Sequence, residues 1–360
     1  MNKRHLLAAG LLAVASALAP AAYAQEPIKL KVASNYPATS LFSRVQKHML
    51  DEVTKTTNGR ITFEWYYGGV LLKAADVFPG VGRGAADIAF TVPAAFNPRE
   101  YPISGVTLPF LTENVQAASL AFRDWYNTTP AVQKEYQRNN VRFLLAVPAS
   151  ENVLWSQKKV TTAADLKGMR IRMLAGPGDA LSLLGATAVT VPYTDAIDLL
   201  SRGGVEAISA TPFEQGVKDG LPEMVNYLSS AGRMGVYAAV ITAMNLDRWN
   251  ALPKDVQDAF LKAADNAIQY YAEAQGKDAD ESVEILLKAK RVQVMKMSPE
   301  EEKAWRDKTH DAVVRKYHEQ VARTGADGNQ LVAGYTALVR KYEKTNPYQT
   351  GIDRYFARKK

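Results

Sequence analysis

From residue 28 onward, apolar and polar positions follow two periods in turn. Residues 28–33 (IKLKVA) alternate as a half-buried strand does, and Thr39 or Ser40 then offers an N-cap to a helical pattern running to Val53. Asn58-Gly59 marks a turn, and residues 60–66 (RITFEWY), rich in β-branched and aromatic side chains, read as a second strand. A helix over 72–81 and a short strand over 87–91 complete a β-α-β-α-β run, the pattern of an α/β unit with helices packed on a sheet.

Two helical segments follow between 114 and 138, and strands resume at 141–147 and 152–155. The alternation then returns: strand 169–173, helix 179–184, strand 188–191, helix 195–201 and strand 204–209. Thr194 is placed to cap the last of these helices and Gly203-Gly204 to stop it. Two α/β units in one chain imply two lobes with a cleft between them, and the boundary falls at 148–151. Residues 236–244 (VYAAVITAM) form the continuous apolar run of a buried strand. Residues 253–287 read as one or two long helices, long enough to bridge both lobes, and 292–297 as a further strand. Ser298-Pro299-Glu300-Glu301 is a capping box with Pro at the first helical position, opening a helix to about Arg323. Residues 330–342 give a last amphipathic helix before a polar, basic tail.

The first 24 residues stand apart. Lys3 and Arg4 precede an Ala/Leu-rich stretch, and Ala22-Tyr23-Ala24 offers the small-x-small pattern of a signal-peptide cleavage site. The expected organisation is therefore 1–24 signal peptide, 25–148 with about 238–270 as the first lobe, and 149–237 with about 285–325 as the second. About 253–287 forms the bridging helix, and 326–360 the C-terminal helix and tail. The mature chain is expected in the periplasm. Its formal charge falls from +7 to +5 once Lys3 and Arg4 leave, and the remaining basic residues are interspersed with acidic ones, so no nucleic-acid partner is expected. The chain has no cysteine, which excludes disulfides, thiolate metal sites and a Cys nucleophile.

Chemistry-bearing motifs are sparse. PGVGRGAAD (79–87) holds a GxGxG, but the helix comes before it and the strand after it, the reverse of a dinucleotide fingerprint. Gly176-Pro177-Gly178 precedes a helix yet lacks the Lys-Ser/Thr of a phosphate loop. His310 and His318 stand about 12 Å apart along one helix, too far to share a metal. There is no GxSxG and no HExxH. No catalytic residue, cofactor or metal is expected, and the chain reads as a binder and not an enzyme. What remains is DLKGMRIRML (165–174), where two arginines two residues apart, Arg170 and Arg172, fall on one face of a short strand.

That stretch, with VPYTDAIDLLSRGGVEAI, NGRITFEWYYGGVL, VGRGAADIAF, YPISGVTLPFL and NLDRWNALPKDVQDAF, resembles the DctP-type solute-binding proteins of tripartite ATP-independent periplasmic (TRAP) transporters, over about residues 28–297. The resemblance implies a two-lobed periplasmic binding protein of α/β fold, type II-like, with a ligand cleft between lobes and a long bridging helix. It implies delivery of a small organic acid to membrane permease subunits in sodium-driven uptake. It also implies that Arg172 makes a bidentate bond to the ligand carboxylate, a task suited to the planar guanidinium fork.

Departures from the family pattern narrow the ligand. Asn152 stands where dicarboxylate and sialic-acid branches carry a second arginine, and Glu206-Ala207 replaces their Asp-Gly. Pro212-Phe213-Glu214 resembles the Pro-Trp-Glu phrase of a monocarboxylate branch. The expected ligand is a monocarboxylate with an apolar or aromatic body. Arg172 takes its carboxylate, Asn152 and Thr211 supply neutral hydrogen bonds, Phe213, Tyr36 and Tyr237 form walls, Glu214 accepts a ligand hydroxyl or pairs with an arginine, and Thr91 lies at the rim. For each aromatic the competing reading is core packing. A sensor reporting to a membrane receptor, or a periplasmic enzyme acting on a bound acid, remain alternatives, and the chain is either a monomer or a dimer through its C-terminal helix.

Overall fold

A computed structural model describes residues 27–174 and 176–359, so the signal-peptide reading of 1–24 lies outside it. Its first four strands are β1 (Ile28–Ser34), β2 (Ile61–Tyr66), β3 (Ile88–Thr91) and β4 (Val141–Pro148). Then come β5 (Leu154–Ser156), β6 (Arg170–Arg172), β7 (Thr187–Val189), β8 (Ala207–Ile208), β9 (Tyr227–Ser229), β10 (Ala239–Asn245) and β11 (Gln293–Met295). They form two sheets, ordered β2-β1-β3-β10-β4 and β11-β9-β5-β8-β6-β7, one for each lobe.

In the first sheet β1 runs parallel to β2 and β3, as β-α-β crossovers require, and the all-buried β10 inserts antiparallel between β3 and β4. The helix Leu41–Thr56 connects β1 to β2 and is capped by Ser40, whose hydroxyl accepts from the Ser43 amide at 3.1 Å. Its apolar stripe, Val45, Met49, Leu50 and Val53, is fully buried. In the second sheet β6 is parallel to β7 and β8, while β5 is antiparallel between β8 and β9.

The chain crosses between the sheets just after β4 and again just before β10, and the two crossings pair antiparallel at Glu151 and Val236. A single 35-residue helix, Lys254–Lys288, spans both lobes, about 52 Å at 1.5 Å per residue. Its buried Asp278 receives Arg44 from the first lobe and Lys218 from the second, the latter at 2.6 Å, so one carboxylate is tied to both halves. The helix Pro299–Ala322 also touches both sides. Its Tyr317 hydroxyl donates to the Ile103 carbonyl at 3.0 Å, and its Lys316 pairs with Asp179 at 2.6 Å.

Several boundaries move from the sequence pattern. The second helix starts at Val77 and not near 72, because the preceding residues form turns. The helix Tyr193–Ser201 begins with Pro192 as its cap, which places Thr194 inside it. The Ser298 box is half formed. Ser298 accepts from the Glu301 amide at 3.2 Å, but the Glu301 carboxylate is drawn to the Ala163 amide and the Trp305 indole, at 2.7 and 3.0 Å.

The C-terminal helix Gly328–Glu343 buries Leu331, Tyr335 and Val339, packing beside the helix Val115–Thr128 of the same chain. The tail beyond it is not merely polar. It forms a helix, Gly351–Arg358, that buries Ile352 and Tyr355 against the second-lobe core and the long helix.

Candidate functional site

Between the lobes lies a cavity of about 340 Å³. The first lobe contributes Asn35, Tyr36, Phe42, Val92 and Phe96, and the second Arg172, Leu174, Tyr193, Ile197 and Thr211. Tyr237 and Ala238, on the second crossing, close it between the two. The lining is mostly apolar and aromatic.

Arg172 ends the short strand β6 and is only 2% exposed. Its Nε donates to the Val191 carbonyl at 3.1 Å, and its Nη1 to the carbonyls of Ser209 and Ala210 at 3.3 and 2.9 Å. Its guanidinium sits 5.8 Å from the centre of the Tyr193 ring. Among the described residues no carboxylate forms an ion pair with it. Burial lowers its pKa, opposed by the fields of Tyr237, Tyr36 and Tyr193. A guanidinium nevertheless keeps its proton in proteins, so the cavity holds a desolvated cation. Arg170 points out of the site: it is exposed and donates to the Gly203 carbonyl at 2.9 Å.

The other expected residues divide into two groups. Tyr36, Tyr237 and Thr211 line the cavity beside Arg172, and the buried Thr211 hydroxyl has no hydrogen-bond partner among the described residues. Asn152, Phe213, Glu214 and Thr91 do not line it, each for a local reason. The Asn152 side-chain carbonyl is spent accepting from the Ala210 amide and the Ser209 hydroxyl, at 2.7 and 2.9 Å. This holds Ala210 at a φ of 53°, a left-handed conformation costly for a residue with a Cβ, and aims its carbonyl at Arg172. Asn152 therefore positions the arginine.

Phe213 is fully buried in the second-lobe core, where a Cβ on Gly351 would fall 2.2 Å from its ring. Thr91 is the buried last residue of β3, and the next residue, Val92, takes the place at the cavity wall. Glu214, on the helix Phe213–Lys218, turns to the crossing, where Ser150 donates to its carboxylate at 3.0 Å. Sequence reasoning did not pick out Phe42, Phe96, Leu174, Tyr193 or Ile197. Each looks like core in its own element, and only the meeting of the lobes brings them together.

The crossings carry a second buried carboxylate, Glu151, which accepts from the Gly351 amide. Burial pushes Glu214 up to about 7 and Glu151 up to about 8 from the ordinary 4.5, with neighbouring acids adding to both. Each holds its proton in the folded chain where the unfolded chain has released it. The folded state thus binds more protons, and stability falls as pH rises from about 4.5 to about 8. Glu151→Gln keeps an acceptor for Gly351 and removes one such proton. It is expected to flatten this fall, adding a few degrees to Tm near pH 8 and little near pH 5. An unchanged slope of Tm against pH would show that Glu151 does not carry it.

A cleft closed from both sides by two α/β lobes and a bridging helix defines a two-lobed solute-binding protein. The match to the family model "Bacterial extracellular solute-binding protein, family 7" runs over residues 32–320, and the chain belongs to that family. It is similar to the crystal structure of a TRAP solute-binding protein from Rhodoferax ferrireducens in complex with copurified benzoate, with 25% identity, TM-score 0.78, and coverage of 88% of this chain and 99% of that one. A TRAP periplasmic solute-binding protein from Desulfovibrio salexigens, solved as an open complex, has 26% identity and TM-score 0.76, covering 88% and 97%. The monocarboxylate 2-oxoacid-binding periplasmic protein of a Nostoc species is 24% identical over 213 residues, which is 59% of this chain and 58% of the relative.

Proposed function

We propose that this protein is the solute-binding component of a TRAP transporter. In this reading it binds a monocarboxylate with an apolar or aromatic body in the periplasm, through a salt bridge to Arg172, and delivers it to a membrane permease. The observation that carries the reading is a buried guanidinium without an ion-pair partner among the described residues, facing a cavity whose other walls are mostly apolar and aromatic, with Asp198 and Asp219 among the few polar lining residues. One cation balances one carboxylate, and a second carboxylate would be buried against Leu174, Ile197 or Val92 at high desolvation cost. The benzoate of the Rhodoferax structure and the 2-oxoacid monocarboxylates of the Nostoc relative support that ligand class.

Ligand held by one lobe completes its contacts only when the other arrives, so it stabilises the closed form, which the permease then engages. This is binding and release, not catalysis. The apolar face of its C-terminal helix is covered within the same chain, which supports a monomer over a dimer through that helix.

Thermal melting against benzoate, pyruvate and succinate tests this. A monocarboxylate at about 100 times its dissociation constant adds about 2.7 kcal/mol and should raise Tm by several degrees, while succinate should not. A shift with succinate alone would overturn the ligand class.

A further inference from the structure

Within that reading, Tyr36 and Tyr237 were expected as walls, but the hydrogen bonding around Arg172 gives them another task. We propose that the ligand carboxylate is held in a mixed cradle, with Nη2 of Arg172 supplying the charge and the phenolic hydroxyls of Tyr36 and Tyr237 donating to the carboxylate oxygens.

The first observation is that Arg172 has few donors left. Nε and Nη1 are committed to three backbone carbonyls, those of Val191, Ser209 and Ala210. Only Nη2 makes no hydrogen bond among the described residues. A side-on fork needs two guanidinium nitrogens facing the ligand, whereas this arginine presents one. A carboxylate offers about four acceptor sites, so the N–H groups of a single nitrogen leave part of a buried anion unsatisfied.

The second observation is that two phenols stand ready beside it. Tyr36 and Tyr237 both line the cavity and both lie within the field of Arg172, and neither hydroxyl has a hydrogen-bond partner among the described residues. Both are fixed in place. The Tyr36 ring packs 5.0 Å from Phe42 and stacks 6.3 Å from Phe90. The Tyr237 carbonyl accepts from the Thr107 hydroxyl at 3.1 Å, on the far side of the cavity wall. Burial raises both phenol pKa values, so each keeps its proton and can only donate to an anion. Asn152 lends the cavity no acceptor, since its side-chain oxygen is turned to the Ala210 loop. The neutral phenols thus add hydrogen bonds beside Arg172 without adding charge. The cradle satisfies one carboxylate and adds nothing to neutralise a second.

The test is calorimetric titration of benzoate into the wild-type chain, Tyr36→Phe, Tyr237→Phe and the double variant, with the Tm of each unliganded protein measured alongside. Phenylalanine keeps the wall and removes only the donor. Each single change is expected to weaken benzoate about 10-fold or more, the value of a hydrogen bond to a charged group, and the double change further, with unliganded Tm nearly constant. Wild-type affinity in both single variants and in the double variant would overturn the cradle while leaving the binding reading intact. If wild-type protein takes up no benzoate and only dicarboxylates, both readings fall together.

Discussion

Arg172→Met is expected to lower affinity for a monocarboxylate such as benzoate by about 10²–10³-fold or more while leaving the unliganded fold in place. The binding loss follows from leaving a desolvated carboxylate with no cation, a change worth about 3–5 kcal/mol when one partner of a buried pair is removed. The effect on the unliganded protein is much smaller because two contributions oppose. Methionine forfeits the hydrogen bonds to Val191, Ser209 and Ala210, but it also removes a cation that is 2% exposed and has no anion beside it. Methionine further matches the length of the buried stem. Arg172→Lys should fall between, since an ammonium keeps the charge but cannot reach three carbonyls and the ligand at once. Titration calorimetry gives the affinities and thermal melting gives the fold. Undiminished benzoate binding by Arg172→Met would remove the arginine from the site, and a collapse of the unliganded protein would show that its main task is structural.

How far the sequence could reach is clear from particular residues. The place of Arg172 at the cleft was legible because the phrase around it resembles a known family in which that arginine faces the cleft. The alternation of strands and helices was legible because each sheet is built from local β-α-β units whose periodicity survives in one dimension. The cavity wall was not. Phe42 and Ile197 obey the same helical periodicity as their buried neighbours, and nothing in the spacing says that one faces a cleft and another a core. Asn152, Phe213 and Glu214 were misplaced for a related reason. All three lie close in sequence to the site, but a polar side chain there can serve the backbone as well as the ligand, and the choice depends on which carbonyls and amides the fold leaves unpaired. Thr91 missed the wall by one residue, which along a strand is enough to change faces. The helix in the tail was not legible because its few apolar residues, Ile352 and Tyr355 among them, are interspersed with charged ones, of which Arg354 and Arg358 pair with Asp280 and Glu284 of the long helix.

Removing residues 345–360 is therefore expected to be strongly destabilising, although this stretch looks dispensable in one dimension. Ile352 and Tyr355 are 1% and 5% exposed, and at about 1.5–3 kcal/mol for each large apolar side chain their loss alone costs about 3–6 kcal/mol. The tail also supplies the Gly351 amide to the buried carboxylate of Glu151, and Asp353 to Arg233 at 2.9 Å, so both crossings between the lobes lose a partner. Arg233 would keep Glu113, but Glu151 would be left without its hydrogen-bond donor, a further penalty of about 1–3 kcal/mol. Against a typical stability of about 5–15 kcal/mol, the truncated chain should melt about 10 °C or more below the full one. Gly351→Ala probes the same contact without deletion, because its Cβ would press 2.2 Å from a Phe213 ring that is itself fully buried. Overpacking of this kind costs about 1–3 kcal/mol, so the variant should lower Tm by a smaller amount in the same direction. A truncated protein melting within a degree or two of the full chain would mean that the tail rests on the crossings without bracing them. A large loss on truncation with none in Gly351→Ala would place the bracing in the charged and apolar contacts of the tail and not in its close approach to Phe213.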